Sequence, residues 1–210
     1  MSFINNEELK KITNGSINIQ VIDFAKNVLI SQLKPYIFDE KQAKIIKEKI
    51  ENMKIEILSN DDFKDKFYKS SGKGFLPGAY VYQNTIYFRD DLNFDINELH
   101  NLIHEMLHII SDNGEKMGLL QHNKEKNYMY GRGLNEAFTE YLTSLILDVN
   151  FQGYSKDFEY IIQLLMILTN LDIKDLFKLY ISNEEWLTDE IISRFNPNDN
   201  ELVGLVVEYD

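Results

Sequence analysis

Residues 102–108 read Leu-Ile-His-Glu-Met-Leu-His, and within them His104, Glu105 and His108 form the pattern H-E-x-x-H. On a helix, residues four apart are neighbours, with Cβ atoms about 5–6 Å apart. Two imidazoles so placed can both reach one Zn²⁺ at about 2.0–2.1 Å. Glu105 follows the first histidine and lies to the side, where its carboxylate can take the proton of a metal-bound water. The neighbours Leu99, Leu102, Ile103, Met106, Leu107, Ile109 and Ile110 suit a buried helix, which Asn113-Gly114 would end. The chain has four histidines, so the pattern is rare by chance. Unrelated helices carry it too, and a further ligand is needed.

A candidate lies 28 residues after His108, in Gly133-Leu134-Asn135-Glu136-Ala137-Phe138-Thr139-Glu140. Glu136 and Glu140 share a helical face beside the apolar stripe Leu134, Ala137, Phe138, Leu142, Leu145 and Ile146. Buried charge without a partner is costly, and a cation held by two neutral histidines is a partner for one of the two carboxylates. Three protein ligands and one water make the open arrangement of a hydrolytic zinc site. A third imidazole, His100, lies four residues before His104. The ends of such a run are about 12 Å apart along the helix, so the three cannot converge on one ion, and a packed or solvated His100 is expected.

Together, H-E-x-x-H and N-E-x-x-T-E resemble the gluzincin metallopeptidases, the thermolysin-like branch of the zincins. The resemblance covers about 40 residues directly, from Leu102 to Leu142. It implies that His104, His108 and Glu136 bind Zn²⁺, that Glu105 is the general base, and that Glu140 orients a ligand histidine. The last position is more often aspartate in thermolysin-like enzymes. No counterpart of thermolysin's long N-terminal β-domain is present, and the small size looks more like the lethal-factor and Pro-Pro-endopeptidase group. In that group a tyrosine shortly precedes the ligand glutamate. Tyr130 is therefore the first choice as donor to the oxyanion of the tetrahedral intermediate, with Tyr128 and His122 as alternatives. Zincins also bind substrate backbone along an exposed edge strand. Ala79–Tyr82 or Thr85–Phe88 could serve, which makes Tyr80 and Tyr82 substrate-binding candidates. Arg132 either meets a substrate carboxylate or pairs with a surface acid.

The elements that must position these residues follow from periodicity. Helices are expected over about 17–34, 39–53, 60–69, 95–112, 133–149, 156–170, 172–182 and 184–194, with a short strand at 55–58. Ala79–Tyr82 and Thr85–Arg89 flank Gln83-Asn84 as a β-hairpin. Residues 70–78 are turn chemistry without P-loop spacing. Residues 202–209 suit helix or strand equally, and Trp186, the single tryptophan, has no assignable role beyond packing. The class is α+β and zincin-like: a small mixed sheet with a hairpin packed on the active-site helix, followed by a helical C-terminal subdomain. A single domain over 1–210 is expected, with about 1–112 carrying the sheet and active-site helix and about 113–210 carrying the third ligand.

Composition limits the alternatives. The 210 residues are 44% hydrophobic and 12% aromatic, enough for a core. Cysteine is absent, which excludes disulfides, thiolate metal sites and a cysteine nucleophile. The formal charge is −12, a poor match to nucleic acid or anionic lipid. The longest apolar stretch, 161–171, is about half a membrane span, and the N-terminus lacks the pattern of a secretory signal. A cytoplasmic monomer acting on a peptide or protein is expected, with non-classical export left open. Function is then expected to be zinc-dependent peptide hydrolysis. The alternatives are a zincin dedicated to one protein target, a non-catalytic zinc-containing binding or regulatory module, and core histidines with no metal.

Overall fold

The structure, a computed structural model, describes residues 6–13, 15–71, 74, 76–114, 117–123, 128–148 and 156–182. It is an α+β fold of eight α-helices and two small sheets among those residues. The chain falls into two compact units. The first comprises Met1–Lys34, Lys41–Ile110 and Thr143–Val149; the second comprises Pro35–Glu40, Ser111–Leu142 and Asn150–Asp210.

The first unit opens with α1 (Asn6–Thr13) and α2 (Ile19–Leu33). Asn18 caps α2 by accepting from the Val21 N–H at 3.1 Å. The helix buries Val21, Ala25, Leu29 and Leu33 at helical spacing. It ends in a 3₁₀ turn, Lys34–Tyr36, where Pro35 stops it. Helix α3 (Glu40–Glu51) buries Ile46 and Ile50. Its Lys49 Nζ donates to the Ile110 carbonyl at 2.6 Å. That cation satisfies one of the carbonyls left open at the end of the helix that carries the histidines.

The sheet of this unit has the order β1-β3-β2, from β1 (Lys54–Leu58), β2 (Ala79–Tyr82) and β3 (Thr85–Arg89). Strands β2 and β3 form the expected hairpin in register Ala79↔Phe88 to Tyr82↔Thr85. Gln83 and Asn84 both have positive φ, 48° and 58°, the two-residue turn whose twist matches its strands. Strand β1 joins β3 in parallel, which needs a crossover between them; α4 (Asn60–Ser71) lies in that connection. Between the two substrate-strand options, the pairing is decisive: β3 is the central strand, so Thr85–Phe88 is no edge, whereas β2 is one.

The faces of the sheet are divided by strand alternation. Tyr80 and Tyr87 pack with Phe63 and Phe67 of α4 in an aromatic cluster, with edge-on contacts at 5.1 and 5.2 Å between Tyr80 and the two phenylalanines. Ile86 and Phe88 point the other way and are fully buried, with the Phe88 ring tilted by 42° against Phe94 at 5.8 Å. Helix α5 (Ile96–Ser111) follows. Asp95 caps it, its Oδ1 accepting from the N–H groups of Asn97 and Glu98 at 2.8 and 3.3 Å.

The second unit contains a hairpin of β4 (Gln121–Asn123) and β5 (Tyr128–Tyr130), most of α6 (Arg132–Leu147), α7 (Lys156–Thr169) and α8 (Ile173–Ile181). Helix α8 starts in a capping box between Asp172 and Asp175 and buries Leu176, Phe177, Leu179 and Tyr180. Phe138 of α6 meets Tyr180 edge-on at 5.2 Å. The expected helix at 184–194, Trp186 and the ambiguous 202–209 lie outside the described residues. No helix among the described residues is long and apolar enough to cross a membrane.

Candidate metal centre

Helix α5 forms because its apolar residues repeat at helical spacing and Asp95 caps its start. Leu99, Leu102, Ile103, Met106 and Leu107 are each 0% exposed, so the helix is embedded and its histidines are carried on a rigid element. His104 and His108 are 6% and 5% exposed, and their Nε2 atoms lie 3.1 Å apart. The rings meet edge to face, with an interplanar angle of 77°.

A carboxylate oxygen of Glu136 completes the group. One donor atom each from His104, His108 and Glu136 lie within 4.8 Å of one another. Two ligands bound at about 2.05 Å around a tetrahedral centre stand about 3.3 Å apart, so the two imidazole nitrogens already have the spacing of a chelating pair. Two nitrogens and one oxygen are the donor types zinc prefers over the all-oxygen sets of magnesium or calcium. The residues present could hold a metal ion.

Glu105 is partly exposed between the two buried histidines of its helix. His100, one turn earlier, is 8% exposed and is not a member of the donor group. Its packed environment agrees with the helix-length argument against a three-histidine array.

Glu136 is set by the local structure of α6. Tyr130 ends β5, Gly131 takes a positive φ of 82°, and its carbonyl accepts from the Asn135 N–H at 3.0 Å. Asn135, 1% exposed, turns its side chain away from solvent, and its Oδ1 accepts from the Leu119 N–H at 2.9 Å. Thr139 donates to the Asn135 carbonyl and shares a second bond, 2.8 Å, with the Tyr180 hydroxyl. Residues on both sides of Glu136 are thus tied to buried partners, which limits how α6 can rotate. Asn135 belongs to the N-E-x-x-T-E pattern, and an asparagine inside the first turn of a helix, past the cap position it favours, is the local signal of such a side-chain task.

Glu140 is 1% exposed, one turn beyond Glu136. Tyr80 is 8% exposed and faces the aromatic cluster, whereas Tyr82 is 38% exposed at the hairpin turn. Arg132 is exposed in the first turn of α6. The backbones of Tyr128, Tyr130 and His122 pair within β4-β5, with Tyr130 opposite Gln121 and His122 opposite Met129; their side chains lie outside the described set.

Comparison of the chain with protein families, curated proteins and solved structures returned no match.

Proposed function

We propose that this chain is a zinc-dependent metalloendopeptidase of the gluzincin kind, acting on a peptide or protein. The observation that carries the reading is the convergence of His104, His108 and Glu136, with the partly exposed Glu105 next to His104 on the same helix. A zinc ion held by those three side chains supplies Lewis-acid chemistry, lowering the pKa of water and polarising a carbonyl oxygen.

The protein's own residues do the rest. Glu105 takes a proton from the water as the water oxygen attacks the peptide carbonyl carbon. It then delivers that proton to the amide nitrogen as the C–N bond breaks. Tyr130, at the end of β5, is assigned the hydrogen bond to the developing oxyanion. Glu140 is assigned the N–H of a ligand imidazole, fixing its tautomer; a carboxylate so deeply buried requires such a donor. Strand β2, an edge of its sheet, takes the substrate backbone as an added strand, with Tyr82 beside it. Arg132, exposed at the start of α6, is assigned a substrate carboxylate.

The test is metal content and peptide cleavage in the same preparations. Stoichiometric zinc in the wild type, lost in His104→Ala and in Glu136→Ala, supports the ligand set. Cleavage of a peptide library, abolished in a Glu105→Gln protein that still binds zinc, supports the enzyme. Zinc without any cleavage would replace the enzyme with a non-catalytic zinc-containing module.

A further inference from the structure

From Leu99 to Ser111 every residue of α5 is buried except Asn101 and Glu105. Glu98, three residues before Asn101, is half buried as well. These three stand at i, i+3 and i+7, so they lie along one face of the helix. Beyond the partly exposed first turn, this face is where the embedded part of the helix, 99–111, is accessible. Glu98 and Glu105 are about 10 Å apart along the axis, the length of about three residues of extended peptide.

The start of β2 lies against the Glu98 end of this stripe. A Cβ added to Gly78 would sit 3.1 Å from Glu98 Oε2, 3.2 Å from Leu92 Cδ1 and 3.4 Å from Asn101 Nδ2. Lacking a side chain, Gly78 brings its backbone close against the carboxylate and the amide where the edge strand begins. Asn101 Nδ2 donates to Glu98 Oε2 at 3.2 Å. Among the described residues Glu98 makes no ion pair. The base whose charge acts on it, Arg89, is bonded elsewhere, giving Nε and Nη2 to Asp91 at 2.9 and 2.8 Å. Nor is Glu98 needed as the cap of α5, because Asp95 fills that place. Burial raises the Glu98 pKa, with Asp95 adding to the effect and the Asn101 hydrogen bond and the charge of Arg89 opposing it. A half-buried carboxylate held by an amide, with no ion pair of its own and with the nearby Arg89 already bonded to Asp91, is the electrostatic complement of a further cation.

We propose that Glu98, supported by Asn101, forms a specificity subsite for a basic side chain, Lys or Arg, of a peptide lying along α5 and β2, about three residues from the bond that is cut. The subsite rests on the peptidase reading for its distance to Glu105, but its charge preference can be measured separately.

Two readouts test it, both on the full chain loaded with zinc. The first is binding of fluorescein-labelled alanine-based nonapeptides with Lys, Gln or Glu at the centre, followed by anisotropy with Glu105→Gln protein. The Lys peptide is expected to bind about tenfold more tightly than the Gln peptide, the difference of one charge-assisted hydrogen bond. Adding Glu98→Gln should remove the preference, and adding Glu98→Lys should reverse it toward the Glu peptide. A reversed preference is a gain that a misfolded variant cannot produce. The second is the cleavage profile of a random peptide library. Enrichment of Lys and Arg three positions from the cut, lost in Glu98→Gln, supports the subsite. Cleavage with a profile indifferent to residue 98 overturns it and leaves the peptidase standing. A Glu98-dependent charge preference in binding with no cleavage sustains the subsite and overturns the peptidase. Absence of any charge preference in both readouts overturns the subsite outright.

Discussion

The Nε2 atoms of His104 and His108 lie 3.1 Å apart in a buried setting. Alone, two such nitrogens can share a proton only if one ring donates and the other accepts. With a carboxylate oxygen of Glu136 in the same group, the arrangement suits a cation better than a proton, since all three donors can then present lone pairs. Metal binding to the folded chain alone stabilises it by mass action. Zinc at about 100 times its dissociation constant should add about 2.7 kcal/mol of stability. Chelation should reverse the gain. Glu136→Ala is expected to weaken zinc by at least about 100-fold. Calorimetric titration with zinc and paired thermal melts measure both; an unchanged affinity in Glu136→Ala removes that residue from the ligand set.

Glu105 is expected to separate chemistry from binding. Glu105→Gln keeps the size and the partly exposed position of the side chain and removes its basicity. Zinc affinity should stay within about twofold, while kcat/KM for a library-derived peptide falls by about 10²–10⁴. Comparable cleavage in the variant would sink the assigned proton transfer.

Gly118 is the most closely packed of the described glycines. Its φ is +57°, and an added Cβ would collide with Asn135 Oδ1 and stand 2.5 Å from Tyr180 Cε2. Asn135 cannot step aside without giving up the Leu119 N–H, nor Tyr180 without disturbing Thr139. Gly118→Ala should therefore destabilise the chain by about 2–4 kcal/mol, combining left-handed strain with lost hydrogen bonds. Urea denaturation at equilibrium measures this, and a loss under 1 kcal/mol would mean the network yields easily.

The forked pair between Arg89 and Asp91 gives a pH-dependent contribution. The Arg89 hydrogen bond holds the Asp91 carboxyl below its ordinary pKa, against a smaller opposing effect of burial. A depressed acid stabilises the fold above its unfolded pKa, and the contribution is lost as pH falls through the folded value. The Asp91 side chain is 38% exposed, so screening keeps the effect within the surface range. Asp91→Asn should cost about 0.5 kcal/mol at pH 7, shrinking toward zero in acid below the ordinary aspartate range and in molar salt. Melts of both proteins from pH 7 to pH 3 check the sign; a gap that widens in acid contradicts it.

Much of the fold could be read before any coordinates. Helices α2 to α8 fall within a few residues of their expected ranges, because each carries its own apolar period, and several their own caps. The hairpin of β2 and β3 was equally legible, since Gln83-Asn84 is a local turn signal. Strands β4 and β5 were missed. Each has three residues, too few for a period, although the alternation in Tyr128-Met129-Tyr130 hinted at one. Helix α1 was missed too, its eight residues being mostly charged or polar. The partner of β1 was illegible for another reason: parallel pairing depends on a crossover, not on a neighbouring turn. That pairing made β3 central and β2 an edge. The alternation of β2 then sent Tyr80 into the aromatic cluster and left Tyr82 outside.

What the sequence determined by itself is what a few consecutive residues can enforce. Spacing of four on a helix puts His104 beside His108 and Glu136 beside Glu140 whatever surrounds them. Tertiary structure decided the rest: that an oxygen of Glu136 comes within 4.8 Å of nitrogens 28 and 32 residues earlier in the chain, and that Gly78 comes to rest against Glu98 and Asn101. Contacts between distant segments depend on how whole faces bury apolar surface against one another, and no local pattern of residues records that outcome.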